Sequence, residues 1–338
     1  MRISLRLRIA ILGVASALAL AGAGAYLLRS RQQQDDAKAN APAVSITSLT
    51  AISSEPRIVF RNTALSSQYG MVAMVRLADP SGPRAISSTS CDRVYASAQR
   101  FLCLSSDRGL ATTYAAHVLS AAFAPIQTLD LTGIPSRARL SADGTLAATT
   151  SFVSGDSYAG TSFSTRTVIT PHSGAGLNLE DFQLIHNGQP ISPTDRNYWG
   201  VTFAADDDTF YATVEWSGHT WLVRGSIAKK TVTTLQEDAE CPSLSPDGTA
   251  IVYKQRGSLP AGQWHLVRYQ IATGKITPLT ESRSVDDQVE WLTNDAVIYG
   301  LPRTGAQAAV SDVWEVPADG TGAPKLLIPQ AFSPAVIR

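Results

Sequence analysis

Charged residues and cysteines are both scarce in this sequence of 338 residues. Asp, Glu, Lys and Arg make up 17% of it and the formal net charge is zero, so an extended basic surface for nucleic acid is not indicated. Thr, Ser, Ala, Val and Gly are common instead, which is typical of a globular chain and not of a disordered one. The length suits one large all-β domain or two ordinary domains. We therefore predict a globular protein with no nucleic-acid partner.

Motifs that hold metals or cofactors are also missing. Five histidines are spread along the chain and none belongs to an H-x-x-x-H or H-E-x-x-H pattern: His117, His172, His186, His219 and His265. Two acidic clusters, Asp206-Asp207-Asp208 and Asp286-Asp287, could supply oxygens, but a Ca²⁺ site needs several that converge, usually from one ordered loop. A turn is the favoured interpretation of the first cluster, and the second could face a central channel. We predict no metal and no cofactor.

Acidic residues are absent from the first 31 residues, which contain five arginines. The rest of the chain therefore contains 23 basic and all 28 acidic residues, which makes it mildly acidic. Residues 9–28 are uncharged, and as a helix they are long enough to cross a hydrocarbon core of about 30 Å. The arginines in residues 1–8 favour a cytoplasmic N-terminus. This pattern predicts a signal anchor over 9–28.

A cleaved signal peptide is the alternative to the anchor. The best cleavage site is Ala23-Gly24-Ala25, but the apolar run continues beyond it through Tyr26-Leu27-Leu28, which favours the anchor. No cysteine follows the run closely, which excludes a lipoprotein. Both alternatives place the body of the protein outside the cytoplasm.

Two further expectations concern the N-terminal region. Residues 29–56 are polar and then rich in Ala, Pro and Ser, which is typical of a flexible tether. Ala17, Ala21 and Ala25 follow a small-residue spacing that lets two helices approach closely. A homodimer through the helix is therefore one alternative for assembly.

Only three cysteines occur: Cys91, Cys103 and Cys241. If the segments after Cys91 and before Cys103 form one hairpin centred on Ser97, the two thiols face each other. In an oxidising compartment this arrangement favours a disulfide, and two small buried residues are the alternative. Cys241 is left over as a buried free thiol, since no metal-ligand spacing surrounds it.

One turn recurs between short β runs. Ser245-Pro246-Asp247-Gly248 separates PSLS from TAIVYKQ, and the runs WHLVRYQI and KITPLT follow. Pro246 fixes φ, Gly248 permits positive φ, and Asp247 is predicted to cap the turn with its carboxylate. Equivalent turn positions at Asp143, Asp207, Asp247 and Asn294 are 64, 40 and 47 residues apart. This spacing indicates propeller blades of four strands, whereas a β-sandwich would not explain the repeated turn.

The predicted fold is therefore all-β: a six-bladed β-propeller of four-stranded blades over 57–338, preceded by one hydrophobic helix. The first blade lacks its opening strand. Phe332-Ser333-Pro334 matches the PxxSP end of such a strand, so residues 331–337 are predicted to complete blade one and remove an exposed sheet edge.

Several segments share the sequence of a known repeat. SPDGTAIVYKQRG followed by WHLVRYQIATGKITPLT resembles the PD40 (WD40-like) repeat of TolB-like six-bladed propellers, as do SADGTLAATTS and the pairing of VWEVPADGTG with APKLLI. The resemblance covers roughly residues 57–338. It implies a propeller that binds partners, and it specifies the fold better than the function. TolB proteins carry an additional α/β domain before the propeller, where this sequence has only the predicted tether.

A nucleophile is not indicated. Gly155-Asp156-Ser157-Tyr158-Ala159-Gly160 approaches the G-x-S-x-G elbow of α/β-hydrolases, but that elbow needs a strand before it and a helix after it. A Ser/Thr-rich β run follows here. A loop inside the third blade is the favoured interpretation, and we predict no catalytic residue.

Tryptophans and one long insertion mark the candidate binding region. Trp221, Trp264 and Trp314 fall near the start of third strands, which predicts packing between blades. The insertion 181–197 is the most unusual one, and long loops on a rigid scaffold often bind ligands. The candidate site consists of Asp195, Asn197, Tyr198 and Trp199. The alternative is that Tyr198 and Trp199 start an inner strand.

The sequence thus predicts a membrane-tethered, extracytoplasmic binding scaffold for a protein or peptide of the bacterial envelope. A propeller hydrolase or lyase acting on envelope glycans or peptides is the alternative, and three or more ionisable side chains meeting in one pocket would favour it.

Overall fold

The computed structural model describes residues 4–39, 44–109, 111–153 and 164–338. Helix α1 (Leu5–Ala39) leads into a ring of six β-sheets. Within α1, Ile11–Gln33 is long and apolar enough to cross a membrane, and none of this window is buried against protein. The helix continues eleven residues into the segment predicted as a tether.

Blades I to III follow one another along the chain. Blade I contains β1 (Ile46–Thr47), β2 (Arg57–Asn62), β3 (Met71–Arg76) and β4 (Arg84–Ser90). Blade II contains β5 (Arg93–Ala96), β6 (Arg100–Arg108), β7 (Thr112–Ser120) and β8 (Pro125–Leu129). Blade III contains β9 (Ile134–Leu140), β10 (Leu146–Val153), β11 (Ser164–Pro171) and β12 (Leu177–Asn178).

Blades IV to VI complete the ring. Blade IV contains β13 (Gln183–His186), β14 (Gln189–Ile191), β15 (Asn197–Phe203), β16 (Thr209–Trp216), β17 (His219–Ser226) and β18 (Thr231–Glu237). Blade V contains β19 (Glu240–Leu244), β20 (Ala250–Gln255), β21 (His265–Gln270) and β22 (Ile276–Pro278). Blade VI contains β23 (Glu290–Trp291), β24 (Ala296–Pro302), β25 (Ser311–Pro317) and β26 (Lys325–Ile328), and β27 (Ala331–Ile337) returns to blade I. Short 3₁₀ helices lie at Leu49–Ala51, Leu179–Asp181 and Gly305–Gln307.

The predicted six-bladed propeller is confirmed. In each sheet one edge strand lines the centre of the ring, and the strand next to it is largely buried on both faces because the blades stack face to face. In β20, Ala250 and Val252 pack against blade VI while Ile251 and Tyr253 pack against blade IV. Because side chains of a strand alternate between its two faces, one strand packs against both adjacent blades. Each fully buried aliphatic side chain stabilises the fold by roughly 1.5–3 kcal/mol.

The ring is closed by β27. This strand pairs antiparallel with β2, with Ile58 opposite Val336, and becomes the inner strand of blade I. The expected match of Ser333-Pro334 to the PxxSP turn is wrong in register. Ser333 occupies a bulge of β27 at φ 55°, equivalent to Cys241 at φ 50° in the bulge of β19. Ser333-Pro334 therefore corresponds to Cys241-Pro242, because the register with the second strand decides the equivalence.

Two blades carry extra strands at their outer edges. Strand β1 pairs in parallel with β4, and Ile52 is fully buried in the core of blade I, so residues 46–52 of the predicted tether pack on the propeller. In blade IV, β13 pairs in parallel with β18 and forms a hairpin with β14. Most of the long insertion is therefore an ordered sheet extension and not a free loop.

The disulfide between Cys91 and Cys103 is present, with 5.4 Å between the Cα atoms. The assumed hairpin register is wrong, however. Val94 lies opposite Cys103, and the turn is closed by the Ser97 N–H donating to the Arg100 carbonyl. Cys91 precedes β5, so the disulfide joins β6 to the connection between blades I and II. The third cysteine, Cys241, is free and buried.

Candidate functional site

The repeated aspartates hold turns. The Asp247 carboxylate accepts hydrogen bonds from the Ser245 hydroxyl (2.5 Å) and from the Thr249 amide and hydroxyl (both 3.0 Å). These bonds hold the pKa of Asp247 below its usual value. Asp143 accepts the same three bonds, from Ser141 and Thr145. Gly248 has φ 71°, which a glycine adopts without strain.

In blade IV the turn carboxylate belongs to a different aspartate from the predicted one. Asp206 accepts hydrogen bonds from the amide of Asp208 (3.1 Å) and from the amide (2.7 Å) and hydroxyl (2.8 Å) of Thr209. Asp207 stands at the position of Gly248 and has φ 54°. Asp207 therefore lies in the turn through its backbone conformation, while Asp206 supplies the carboxylate.

Charged side chains fill the middle of the central channel. Arg93 Nη1 lies 3.4 Å from Asp287 Oδ1, and Arg137 Nη2 lies 3.3 Å from Asp286 Oδ1. The remaining free space at this level is only about 20 Å³. Asp287 also accepts a hydrogen bond from the Gly300 amide at 3.0 Å. The acidic pair that could face a channel therefore does so, and arginines neutralise it.

A second pair closes the channel toward the repeated turns. Arg139 Nη1 and Glu290 Oε2 are 2.5 Å apart and both side chains are buried. The Tyr95 hydroxyl donates to Glu290 at 3.1 Å, and the Arg139 guanidinium lies over the Tyr95 ring at 4.5 Å. Such a pair is costly to break because either partner alone would be a buried, unpaired charge. The channel is plugged here and is not an open pore.

Two cavities flank this plug. The turn-side cavity, about 460 Å³, lies where the inner strands end and is bordered by the Asp247 turn. The opposite cavity, about 550 Å³, lies where the inner strands of blades III, IV and V begin. We call it the tryptophan cavity because Trp199 and Trp264 line it.

Trp264 and Lys254 form one wall of the tryptophan cavity. The Trp264 indole N–H donates to Glu240 Oε1 at 2.6 Å. Lys254 Nζ lies 3.9 Å from the centre of the Trp264 ring and 2.8 Å from Asp286 Oδ1. A cation over an indole face is favourable, and more so where water is partly excluded. This wall is preorganised, since every polar group named here already has a partner.

Two carboxylates also line the cavity. Glu215 from β16 and Glu240 from β19 both border it. Burial raises the pKa of Glu215, and the nearby carboxylates of Asp195 and Glu240 raise it further. Carboxylates that repel one another in a partly buried site favour a bound cation or proton.

The predicted site residues are divided between the cavity and the strand behind it. Trp199 lines the cavity. Asp195 lies beside Glu215, and its carboxylate accepts the Ser217 amide at 2.7 Å. Asn197 and Tyr198 are buried in β15, where Asn197 Oδ1 accepts the Thr165 amide (3.2 Å). Asn197, Tyr198 and Trp199 all lie in the inner strand β15, which is the arrangement that the alternative interpretation gives for Tyr198 and Trp199.

Several residues of the channel were missed by sequence reasoning. They include Arg93, Arg137, Arg139, Lys254, Glu215 and Glu240. Arg137 and Arg139 alternate in an opening strand, and charged residues at such positions are a signal that could have placed them in the channel. Trp264 was predicted to pack between blades, but it lies just before β21 and borders the cavity instead.

Among the described residues, the other sequence candidates form no metal-binding group. Within the described residues, no group of three or more His, Cys, Asp or Glu could hold a metal ion. His186 packs edge-on against Trp216 and Trp221, and His219 pairs with Glu237 at 2.7 Å, both on blade IV. The segment 155–160 with the G-x-S-x-G-like pattern lies outside the described residues.

Solved propellers resemble this structure. TolB from Acinetobacter baumannii matches with a TM-score of 0.59 at 18% identity, over 86% of this chain and 69% of that chain. A chain of the nidogen/laminin complex matches with a TM-score of 0.55 at 10% identity, over 83% and 98%. Putative TolB from Agrobacterium tumefaciens gives 0.49 at 15% identity, over 81% and 88%.

At these identities the likeness concerns the fold, which is a TolB-like β-propeller. No protein-family model and no curated protein matches the chain. The assignment of its blades to PD40 repeats therefore stays a prediction.

Proposed function

We propose that this protein is a binding scaffold of the bacterial cell envelope. Helix α1 would anchor it in the membrane, and the propeller outside the cytoplasm would hold a segment of a protein or peptide in the tryptophan cavity. The observation that carries this proposal is the cavity itself: about 550 Å³, with two tryptophans and several charged side chains around it. Concave sites with aromatic walls and a few polar groups are where ligands and partner hot spots are most often found.

The state of the channel charges supports binding over catalysis. Asp286, Asp287 and Glu290 each pair with an arginine or lysine. A carboxylate engaged in this way is a poor general base, and guanidinium groups stay protonated. The channel groups therefore fix a shape and a charge pattern for recognition.

Site-specific photocrosslinking in living cells tests this proposal. A photoreactive residue replacing Ala261, which borders the tryptophan cavity, should capture a discrete partner that mass spectrometry identifies. The matched control replaces Ala142, which borders the turn-side cavity. Capture from neither position, or equal capture from both, would contradict binding at the tryptophan cavity.

A hydrolase or lyase acting on envelope glycans or peptides remains the second candidate, because several ionisable side chains do meet at the channel. The tryptophan cavity places Glu215, whose pKa is raised mainly by burial, in the same space as Asp286, which is paired with Lys254. Glu215 would then be the acid–base group, while Asp286 would stay ionised beside Lys254. Turnover of peptidoglycan fragments or peptides that disappears in Glu215→Gln would support this candidate. No turnover by the unaltered protein would count against it.

A further inference from the structure

Two carboxylates of the tryptophan cavity differ from the other acids of the channel. Asp286, Asp287 and Glu290 each lie within ion-pair distance of an arginine or lysine. Over the described parts of the chain, Glu215 and Glu240 have no such partner. This contrast makes them the acids of the cavity whose charge is not balanced by a direct contact.

The basic groups of the same cavity are already engaged or exposed. Lys254 and Arg137 share the single carboxylate of Asp286. Arg256 borders the cavity on an exposed loop, where its backbone amide donates to Asp238 at 3.1 Å. Within the described residues, none of these basic groups lies within ion-pair distance of Glu215 or Glu240, so both acids are open to a cation supplied by a partner.

The site is also partly shaped in advance. The Trp264 indole holds Glu240 Oε1 at 2.6 Å, and Trp199 lines the same space. The neighbouring carboxylate of Asp195 accepts the Ser217 amide at 2.7 Å and adds negative charge near Glu215. A cation held here would gain charge-assisted hydrogen bonds to two acids beside aromatic rings, which favour cations.

We propose that Glu215 and Glu240 together receive the side chain of an arginine or lysine from the partner polypeptide. This inference rests on the proposed scaffold function and specifies the chemistry of its partner: an extended segment with a basic residue at its centre. The raised pKa of Glu215 agrees with this. A carboxylate that is partly buried beside two other acids would be stabilised by a nearby positive charge.

Nuclear magnetic resonance of the full chain in detergent micelles, with nitrogen-labelled tryptophan, tests the cation directly. The probe is N-acetyl-arginine amide, and N-acetyl-citrulline amide is its neutral isostere. The arginine compound should shift the Trp264 indole signal in a saturable manner, since that indole donates to Glu240. The citrulline compound should bind at least about tenfold more weakly, as expected for the loss of one charge-assisted contact. Equal shifts from both compounds would overturn the proposal.

Variants assign the effect to the two acids. Glu215→Gln and Glu240→Gln should each weaken the arginine compound about tenfold, and Glu215→Asp, which keeps the charge, should weaken it less. The control is Glu237→Gln, an exposed acid paired with His219 on the neighbouring surface, which should change nothing. Unchanged signals from the other tryptophans would show that the variants fold. Unchanged binding in a folded double Gln variant would overturn the proposal.

The failure of this inference is separable from that of the scaffold proposal. If the crosslinker at position 261 captures a partner equally well with and without the double Gln change, the basic side chain is excluded and the scaffold stands. If the arginine compound binds through Glu215 and Glu240 but no partner is captured in cells, the cation site stands and the scaffold falls.

Discussion

At the scale of single residues, neighbouring aspartates have different tasks. The Asp206 carboxylate accepts three hydrogen bonds within the turn, whereas Asp207 adopts φ 54° in the place that glycine takes in other blades. A non-glycine residue in this left-handed region costs roughly 1 kcal/mol. Sequence spacing alone does not separate the two, because either could be aligned with Asp247.

Substitutions of Asp206 and of Asp207 should have different effects on stability. Asp206→Ala should lower the free energy of unfolding by about 1–2 kcal/mol, since the turn loses its acceptor. Asp207→Gly should leave the free energy of unfolding unchanged or raise it by up to about 1 kcal/mol, since the left-handed backbone no longer opposes a Cβ atom. Urea denaturation measures both. A larger loss from Asp207→Gly than from Asp206→Ala would refute the assignment.

A buried acid between blades V and VI gives the protein a defined response to acid. Glu281 is almost fully buried and accepts hydrogen bonds from Arg283 (2.8 and 2.6 Å) and from the Tyr299 hydroxyl (2.6 Å). Burial raises the pKa of Glu281, but the hydrogen bonds from Arg283 and Tyr299 lower it more, so it lies below its usual value. Its stabilising effect is therefore complete above the unfolded-state pKa of about 4.3 and is lost as pH falls through the lower folded-state pKa.

Glu281→Gln tests this linkage. At pH 7 the variant should be about 1–3 kcal/mol less stable, because Arg283 loses its charged partner. The difference from the unaltered protein should shrink as pH falls below about 4, because the unfolded glutamate takes up a proton first and the native one follows at its lower pKa. Chemical denaturation over a pH series checks it. A difference that stays constant down to pH 3 would contradict the role of the carboxylate.

At the scale of elements, the ring depends on one strand from the far end of the chain. Ala331, Ala335 and Val336 of β27 are buried, and the Arg84 guanidinium donates to the Pro329 (2.7 Å) and Gln330 (3.1 Å) carbonyls just before it. Without β27, the inner edge of β2 would expose backbone groups and the apolar faces of Ile58 and Phe60. An unpaired edge of this kind destabilises a sheet and promotes association.

Removing the last ten residues, 329–338, should therefore abolish the cooperative unfolding transition or lower its midpoint strongly. A peptide of those ten residues added in trans should restore it in part, because β27 pairs through its backbone with β2. The matched control lacks residues 1–39 and should keep the transition, since the apolar window of α1 buries nothing against the propeller. Calorimetry measures all three. An unchanged transition in the chain that lacks residues 329–338 would show that the ring closes without β27.

At the scale of the whole molecule, an apolar helix and a polar-faced propeller are joined in one chain. Exposed large hydrophobic side chains are concentrated in α1, including Leu12, Leu18 and Leu20 at 69%, 68% and 74% exposure. Exposing such a large apolar surface to water is unfavourable, whereas the hydrocarbon core of a membrane accommodates it. The anchor remains a proposal, with a cleaved signal peptide as its alternative.

Membrane fractionation distinguishes the two. The full chain should stay with membranes after a carbonate wash, and a chain lacking residues 1–39 and targeted by an unrelated cleavable signal should be released. External protease should digest the propeller of the anchored form in spheroplasts. A soluble product whose N-terminus begins near Tyr26 would show cleavage instead. Crosslinked dimers that disappear with the helix would support the homodimer alternative.

Local patterns in the sequence were enough to predict the blade count and the repeated turn and to favour the Cys91–Cys103 disulfide. These features depend on local signals: strand periodicity, Asp-Gly turns and cysteine spacing. The hairpin register predicted around Cys91 was wrong, and so was the predicted match of Ser333-Pro334 to the PxxSP turn. A one-residue shift leaves the composition of a strand unchanged but alters its partners.

The positions of the channel and cavity residues, in contrast, depend on the tertiary structure. Arg93, Arg139 and Glu290 come from three blades, and Glu215 meets Glu240 across two. These partners are 25 to 194 residues apart in the sequence, and the arrangement of the blades around the channel brings them together. The repeated turns could be placed from the sequence because their hydrogen bonds span two or three residues, although in blade IV the carboxylate belongs to Asp206 and not to the predicted Asp207. The cavity could not, because the sign and pairing of its charges depend on which strands become neighbours around the channel.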